Sequence, residues 1–286
     1  MTLLNLIERC SARLQEAGVS FGHGTTNAFD EAVWLALWRL GLPLDELDGV
    51  ADMPLTAAQQ AAIEALLEQR IRTRKPAAYL TGEAWLQGLP FHVDERVIVP
   101  RSLIAEVLAE GLIDAWLGRE PARVLDLCTG NGSLAVLAAL AWPEAAVDAT
   151  DLSADALAVA QLNVQRHGLT PRIRLHHGDG LAAAEGRYDL ILCNPPYVNQ
   201  TSMQQLPAEY RAEPSLALAG GADGMDFIRI LLAGVAAHLQ PQGALVLEIG
   251  HERAHFEAAF PQLQPLWLET SAGDDQVLLL AAETLA

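Results

Sequence analysis

Lysine is nearly missing from this chain: Lys75 is the sole example among 286 residues. The 18 Lys and Arg side chains face 36 Asp and Glu, for a formal net charge of −18. A nucleic-acid binder neutralises phosphates with Lys and Arg, so this balance argues against direct nucleic-acid contact. An acidic surface keeps a protein soluble, and its long-range field favours a basic partner. Cysteine is scarce too. Cys10, Cys128 and Cys193 lie far apart with no C-x-x-C pair, which excludes a disulfide framework or zinc knuckle and fits a reducing cytosol. No apolar run approaches the ~18 residues of a membrane span. The opening Met1-Thr2-Leu3-Leu4-Asn5-Leu6-Ile7-Glu8 lacks the pattern of an export signal, so a cytoplasmic, unexported protein is expected.

What is present is ample apolar content, 51%, enough for a sizeable core. Residues 1–80 read as a helical unit. Leu3, Leu6, Ile7, Cys10 and Leu14 recur at helical spacing, and the Gly22-His23-Gly24-Thr25 break precedes a second helix, Ala28 to Leu40. Thr56 caps a third, which runs to about Thr73 and is stopped by Pro76. Arg70, Arg72, Arg74 and Lys75 suit the negative end of that helix's dipole, with a substrate-binding patch as the other reading. Residues 81–100 form a linker. Runs at Glu83–Leu86 and Phe91–Val99 flank Gln87-Gly88-Leu89-Pro90 as a β-hairpin.

From Arg101 to the end, residues 101–286, strands and helices alternate. Strands are predicted at 124–127, 146–150, 173–176, 188–193 and 244–249, with helices at 133–141, 154–167 and 225–239. Two last strands, 265–270 and 276–281, flank the 271–275 link as an antiparallel pair. The alternation implies an α/β fold with a mostly parallel sheet covered by helices on both faces.

Asp126-Leu127-Cys128-Thr129-Gly130-Asn131-Gly132 follows the first of these strands and opens a helix. Gly130 and Gly132 let the backbone approach a ligand closely. Asp151, at the end of the second strand, is placed to accept hydrogen bonds from ribose hydroxyls. Asp179, after the third, is placed to meet the edge of an adenine. A nucleoside-containing cofactor follows. The loop also satisfies G-x-G-x-x-A through Ala135, so on its own it leaves a dinucleotide-dependent dehydrogenase open.

Asn194-Pro195-Pro196-Tyr197 directly follows the fourth strand, which puts it at the same rim. Two prolines fix φ and remove backbone donors, leaving the Asn194 side-chain oxygen and the Pro195 carbonyl as acceptors. Methylating a planar nitrogen needs such a pair. An amide nitrogen is a poor nucleophile because its lone pair is delocalised. Accepting both of its N–H bonds orients it and draws off positive charge as the new bond forms. Tyr197 is placed to stack on the amide plane. No strong general base is required, since the N–H turns acidic only after attack.

With these motifs the chain resembles the HemK-related protein-glutamine methyltransferases over nearly all of its length. Within them it is most similar to the branch that modifies a glutamine of large-subunit ribosomal protein L-three. Further stretches carrying the resemblance are Gly22–Thr25, Asp30-Glu31-Ala32, Phe91–Ser102 and Gly220–Gly224. It implies a helical N-terminal substrate-recognition domain, a hairpin linker and a seven-stranded class I (Rossmann-like) methyltransferase domain. It implies S-adenosylmethionine bound by Asp126, Cys128, Thr129, Gly130, Asn131 and Gly132, by Asp151 and Leu152, by Asp179 and Gly180, and beside Asn194. The catalytic turn would be Asn194, Pro195, Pro196 and Tyr197, acting on a basic ribosomal protein. The release-factor branch usually has glycine where Cys128 stands and follows its Pro-Arg pair differently from Ser102-Leu103-Ile104-Ala105-Glu106. Both departures favour the ribosomal-protein branch over release factors.

Other signals compete. His251-Glu252-Arg253-Ala254-His255 fits the zinc-protease pattern H-E-x-x-H but lacks a persuasive third ligand, so no metal is expected. Adenine-N6 nucleic-acid methyltransferases share the Asn/Asp-Pro-Pro-Tyr turn, but this chain offers no basic cleft for a flipped base. A non-catalytic role in ribosome assembly conflicts with the intact Asn194 turn. Asp223 is read as a helix cap or as part of the substrate entrance, and Arg101 as a contact of the cofactor pocket or a structural ion pair.

Overall fold

The apolar stripe at the start of the chain forms a helix, as its spacing predicts. In the computed structural model, which describes residues 1–285, helix α1 spans Leu3–Glu16 and buries Leu3, Leu6, Ile7, Cys10 and Leu14. Thr2 caps it by accepting the Asn5 amide. Asn27 caps α2 (Ala28–Leu40) in the same way. After the short α3 (Leu47–Val50), Thr56 and Gln59 form a reciprocal capping box on α4 (Ala57–Thr73). Each such cap contributes about 1 kcal/mol. Arg74, at φ 59°, ends α4 two residues ahead of Pro76, and α5 (Ala77–Thr81) follows.

The hairpin is tighter than the sequence suggests. Strands β1 (Glu83–Leu86) and β2 (Leu89–His92) are joined by Gln87 and Gly88 alone, both at positive φ, as in a type I′ turn. Leu89 and Pro90 therefore belong to the second strand, with Pro90 paired opposite Trp85. A two-stranded ribbon tolerates this because half of each strand's backbone groups face away from the ladder. Residues 93–99 are not a strand. They run irregularly, with Val93, Val97 and Val99 buried in the core of the helical unit.

Two helices absent from the sequence reading, α6 (Ile104–Ala109) and α7 (Leu112–Leu117), precede the alternating region. Strands β3 (Arg123–Leu127), β4 (Ala146–Asp151), β5 (Ile173–His177) and β6 (Tyr188–Cys193) then alternate with α8 (Ser133–Ala141) and α9 (Ala154–Arg166). After α10 (Gln200–Gln205) comes α11, Asp226–Gly234, which is shorter than expected. A 3₁₀ turn at Val235–His238 replaces its second half, and β7 begins at Leu239 and runs to Glu248. Helix α12 (Arg253–Ala259), β8 (Leu266–Thr270) and β9 (Gly273–Ala281) complete the fold, with the β8–β9 link reduced to Ser271 and Ala272. The seven-stranded sheet has the order β5-β4-β3-β6-β7-β9-β8. The first five are parallel, and β9 is antiparallel to both neighbours. The antiparallel β9 departs from the six-stranded 3-2-1-4-5-6 sheet of dinucleotide-binding domains, which removes the dehydrogenase reading left open by the glycine loop.

The arginines at the end of α4 do more than answer its dipole. Arg70 is buried and donates to Glu31 (2.8 Å), to Glu209 (3.3 Å) and to the Ser20 carbonyl (3.0 Å). Arg74 donates to the same Glu209 oxygen at 2.7 Å, as does the Ser20 amide at 3.2 Å. Glu209 lies beyond the Asn194 turn, so this buried carboxylate ties the helical unit to the catalytic one. Burial pushes its pKa up, but the hydrogen bonds it accepts hold it below the ordinary range. Glu209→Ala is expected to cost about 3–5 kcal/mol, the penalty for stranding a buried charge. Arg9→Ala, which breaks an exposed pair with Glu64, should cost under about 1 kcal/mol. Urea unfolding of both variants checks this, and equal losses would refute the tie.

Candidate active site

Parallel pairing of Leu127 with Thr150 on one side and with Cys193 on the other brings three strand ends to one rim. The loop after β3 is wound tightly there. Cys128, Gly130 and Gly132 have φ of 61°, 56° and 80°. The Gly130 amide donates to Asp151 Oδ2 (2.9 Å), and Thr129 N donates to the Thr150 carbonyl (3.0 Å). Left-handed backbone at a non-glycine residue costs of order 1 kcal/mol. That explains why glycine is the comfortable residue at the position Cys128 fills.

The residues expected to bind the cofactor divide into two sets. Cys128, Gly130, Asp151, Leu152, Asp179, Gly180 and Asn194 line one cleft. Asp126, Thr129, Asn131 and Gly132 do not line it; they build the loop from behind. Asp126 Oδ2 accepts the Thr129 hydroxyl and the Ala135 amide, fastening the loop to the start of α8. Asn131 Oδ1 accepts the Ser133 amide. A Cβ on Gly132 would lie 3.1 Å from that of Ala160, so glycine there serves the close approach of α8 to α9. The sequence reading missed Asn163, which is fully buried on α9. Its amide donates to the Asn131 carbonyl (2.8 Å) and the His92 carbonyl (2.9 Å), and its oxygen accepts His92 N (2.7 Å). It also missed the apolar walls Val97, Ile98, Leu216 and Phe227, which come from distant segments with no common motif.

The cleft suits a nucleoside. Asp151 is fixed by the Gly130 and Ser153 amides (2.9 and 2.8 Å), which leaves acceptor capacity for a vicinal diol. Burial raises its pKa against those two hydrogen bonds. Apolar walls and Asp179 complete a surface for a flat base. Burial acts more strongly on Asp126, pushing it up to about 7 against the hydrogen bonds from Thr129 and Ala135.

A second chamber abuts the first, and Asn194, Ile98 and Ala217 line both. Pro196 faces the first chamber; Pro195 and Tyr197 face the second. The turn is clamped hard. Tyr197 donates to Glu248 (3.2 Å), and Glu248 in turn accepts Ser102 Oγ (2.5 Å) and Leu103 N (2.9 Å). Burial and the Glu248 carboxylate both push the Tyr197 phenol up, so it stays neutral. Val198 and residues 218–220 exchange backbone hydrogen bonds of 2.9 Å, and a Cβ on Gly220 would sit 2.7 Å from Tyr197 Cα. The Gly220–Gly224 loop therefore buttresses the turn. Within it Asp223 Oδ1 accepts the Met225 amide at the start of α11 (3.1 Å), and pairing with Arg229 holds Asp223 down to about 2. Arg101 makes a two-pronged ion pair with Glu213 (2.6 and 2.7 Å) and faces the second chamber, not the cofactor cleft. In the H-E-x-x-H segment His251 precedes α12, so the histidines do not share a helical face, and Glu252 is engaged by Asn199 and His255.

A parallel sheet with one reversed strand, a nucleoside cleft and an Asn-Pro-Pro-Tyr turn at its mouth define an S-adenosylmethionine-dependent methyltransferase. The family model described as "Methyltransferase small domain" matches residues 105–210, and "PrmC N-terminal domain" matches residues 5–82. A methyltransferase from Pyrococcus furiosus shares the fold (TM-score 0.50, 19% identity, 69% of this chain and 90% of that one). A Bordetella pertussis protein named ribosomal protein uL3 glutamine methyltransferase is 56% identical over 99% of this chain and 96% of its own length. A Burkholderia pseudomallei protein of the same name is 53% identical, over 99% and 95%. The chain belongs to the family of ribosomal protein uL3 glutamine methyltransferases.

Asp126 generates a pH prediction. Its folded pKa of about 7 lies above the ordinary value near 3.9 for Asp. Its contribution to stability is therefore complete below about pH 4 and is lost as pH rises through about 7. Asp126→Asn removes this titration while keeping the acceptor for Thr129 and Ala135. The melting temperature of the variant relative to wild type should rise between pH 5 and pH 8. An offset that is the same at both pH values would show that Asp126 is not titrating there.

Proposed function

We propose that this protein methylates the side-chain amide nitrogen of a glutamine in ribosomal protein uL3, with the glutamine entering through the second chamber and meeting the donor cleft at Asn194. The observation that carries the reading is the position of Asn194: among the described residues no partner holds its amide, and it lines both chambers. S-adenosylmethionine, when bound, supplies an electrophilic methyl group on a sulfonium.

Asp151 would hold the ribose hydroxyls of the donor and Asp179 the edge of its adenine, while Cys128, Gly130, Leu152 and Gly180 shape the walls. Asp126, Thr129, Asn131 and Gly132 keep that cradle in place. On the substrate side, Asn194 Oδ1 and the Pro195 carbonyl accept the two amide hydrogens. Accepting both fixes the plane of the amide, so that the nitrogen's lone pair, which stands normal to that plane, is aimed at the donor cleft, and stabilises positive charge as it develops. Pro195 and Pro196 make the turn rigid, so little ordering is left to be done at the moment of reaction. Tyr197, fixed by Glu248, presents its ring to the amide. The surplus proton leaves the nitrogen once the bond has formed, when it is acidic enough to pass to water.

The names of the relatives support uL3 as the substrate. The net charge of −18 also supports a basic partner over a nucleic acid. The helical unit would recognise the body of the substrate, and the activity belongs in the cytoplasm, where ribosomal proteins are made. Among the described residues no helix is long and apolar enough to cross a membrane.

Asn194→Ala tests the mechanism. Incubating purified uL3 with donor and reading intact mass should show a +14 Da product with wild type. Loss of the acceptor should slow the variant by about 10²–10³, as removal of one preorganised transition-state contact does elsewhere. Affinity for S-adenosylhomocysteine should be largely kept. A variant as fast as wild type would end this reading.

A further inference from the structure

The Gly22-His23-Gly24-Thr25 segment belongs to the helical unit, yet it reaches into the catalytic one. The Gly22 amide closes a tight turn onto the Thr25 carbonyl (2.8 Å), and Gly22 sits at φ 126°. A Cβ on Gly22 would lie 2.5 Å from the Tyr210 hydroxyl, so the two segments are in intimate contact. The turn inserts His23, which is 2% exposed. Its ring centroid is 4.3 Å from that of Tyr210, and its Nε2 is 3.5 Å from Glu213 Oε2. Neither ring nitrogen has a hydrogen-bond partner of good geometry. Leaving a buried polar group in this state is destabilising, and packing alone does not require a histidine.

Tyr210 and Glu213, the two side chains of the catalytic unit seen against His23, both lead to Arg101. Glu213 accepts both terminal nitrogens of Arg101, and the Arg101 guanidinium lies over the Tyr210 ring at 5.3 Å. Arg101 and Tyr210 both line the second chamber beside Asn194 and Tyr197. Burial pushes the Glu213 carboxyl up, but the close approach of the His23 ring and the charge and hydrogen bonds of Arg101 bring it down to about 2. Glu213 is therefore an anion throughout the physiological range and leaves the arginine pair electrically neutral. A neutral pair with N–H groups at a chamber wall does not repel a basic substrate, and it offers donors that match main-chain carbonyl oxygens.

We infer that His23 is a positioning residue: from the helical unit it sets the posture of Arg101 and Tyr210, and these hold the substrate's main chain next to the reacting glutamine. The inference rests on the functional reading given above, in that it takes the second chamber as the substrate's. Arg101 would touch the peptide; His23 acts only through Glu213 and Tyr210. The helical unit then contributes to the grip on the substrate's main chain inside the chamber.

Steady-state methylation of uL3 by the full chain, with S-adenosylhomocysteine binding measured in parallel, tests this. His23→Ala should raise the KM for uL3 about tenfold, equivalent to 1.4 kcal/mol of lost positioning. Its kcat and its affinity for S-adenosylhomocysteine should stay within about threefold of wild type, since a uniform binding contact was removed. In an Arg101→Lys background the same His23→Ala change should add less than about twofold, because residues acting through one contact are not additive. A wild-type KM in His23→Ala, or effects that multiply in the double variant, would overturn the inference. If His23→Ala does not fold, Tyr210→Leu, at the half-buried middle of the relay, carries the same expected rise in KM, and a wild-type KM there overturns it equally. Wild type that places no methyl on glutamine would sink the functional reading; an active wild type indistinguishable from the variants sinks only the role of His23.

Discussion

The pairing of β3 with its two parallel neighbours is the constraint on which the rest depends. Val124, Leu125 and Leu127 are fully buried between Val147 and Ala149 on one side and Leu190, Ile191 and Cys193 on the other. Parallel strands covered on both faces hold their register through side chains that have nowhere else to go. That register puts Cys128, Asp151 and Asn194 on one rim, each one residue past a paired position or at the last of them. The cleft and the Asn194 turn are neighbours because the backbones are in step. A slip of one residue would turn every side chain of a strand to the opposite face and take the site apart.

A second layer of organisation is made of buried carboxylates. Asp126, Glu209, Glu213 and Glu248 are each almost fully buried; Asp126 gathers donors from its own loop and the start of α8, and the three glutamates gather them from segments far apart in sequence. Their pKa values diverge according to what they gather. Glu209 and Glu213, beside arginines, are held down; Asp126 and Glu248, fed chiefly by neutral donors, are raised by burial. The arginine-paired two sit on the segment that follows the Asn194 turn and meet the helical unit. The other two sit within the catalytic unit and brace the donor loop and Tyr197. Much of the acidic excess seen in the composition is surface charge, but these four act as interior fastenings.

Much of the architecture was legible in the sequence, where local signals act alone. Ala28–Leu40, Ser133–Ala141 and Tyr188–Cys193 have the predicted bounds because a cap, a glycine or a turn marks each end. The short helices α6 and α7 were not legible, since Leu103 to Leu117 is apolar without clean period and is divided only by Gly111, which adopts φ 68°. Pro90 made the hairpin look longer than it is, because proline is read as a turn residue unless the strand is known to be an isolated ribbon. The site divides in the same way. Motifs located the rim and the Asn194 turn, yet they did not separate Gly130, which lines the cleft, from Gly132, which packs on α9. In a loop this tight residues two apart need not share a side, and only the tertiary partner decides which side each one takes. Arg70, Arg74 and Asn163 carried no motif at all, because their partners lie on other elements.

The three hydrogen bonds of Asn163 join the hairpin at His92 to the donor loop at Asn131. Swinging the linker would release the amide that steadies the donor loop, and loosening the donor loop would release the linker. Such coupling is reciprocal by thermodynamic necessity: if a ligand in the cleft favours this placement of the linker by some free energy, holding the linker there tightens the ligand by the same amount. One asparagine thus makes the seat of the linker and the posture of residues 128–132 a single structural unit.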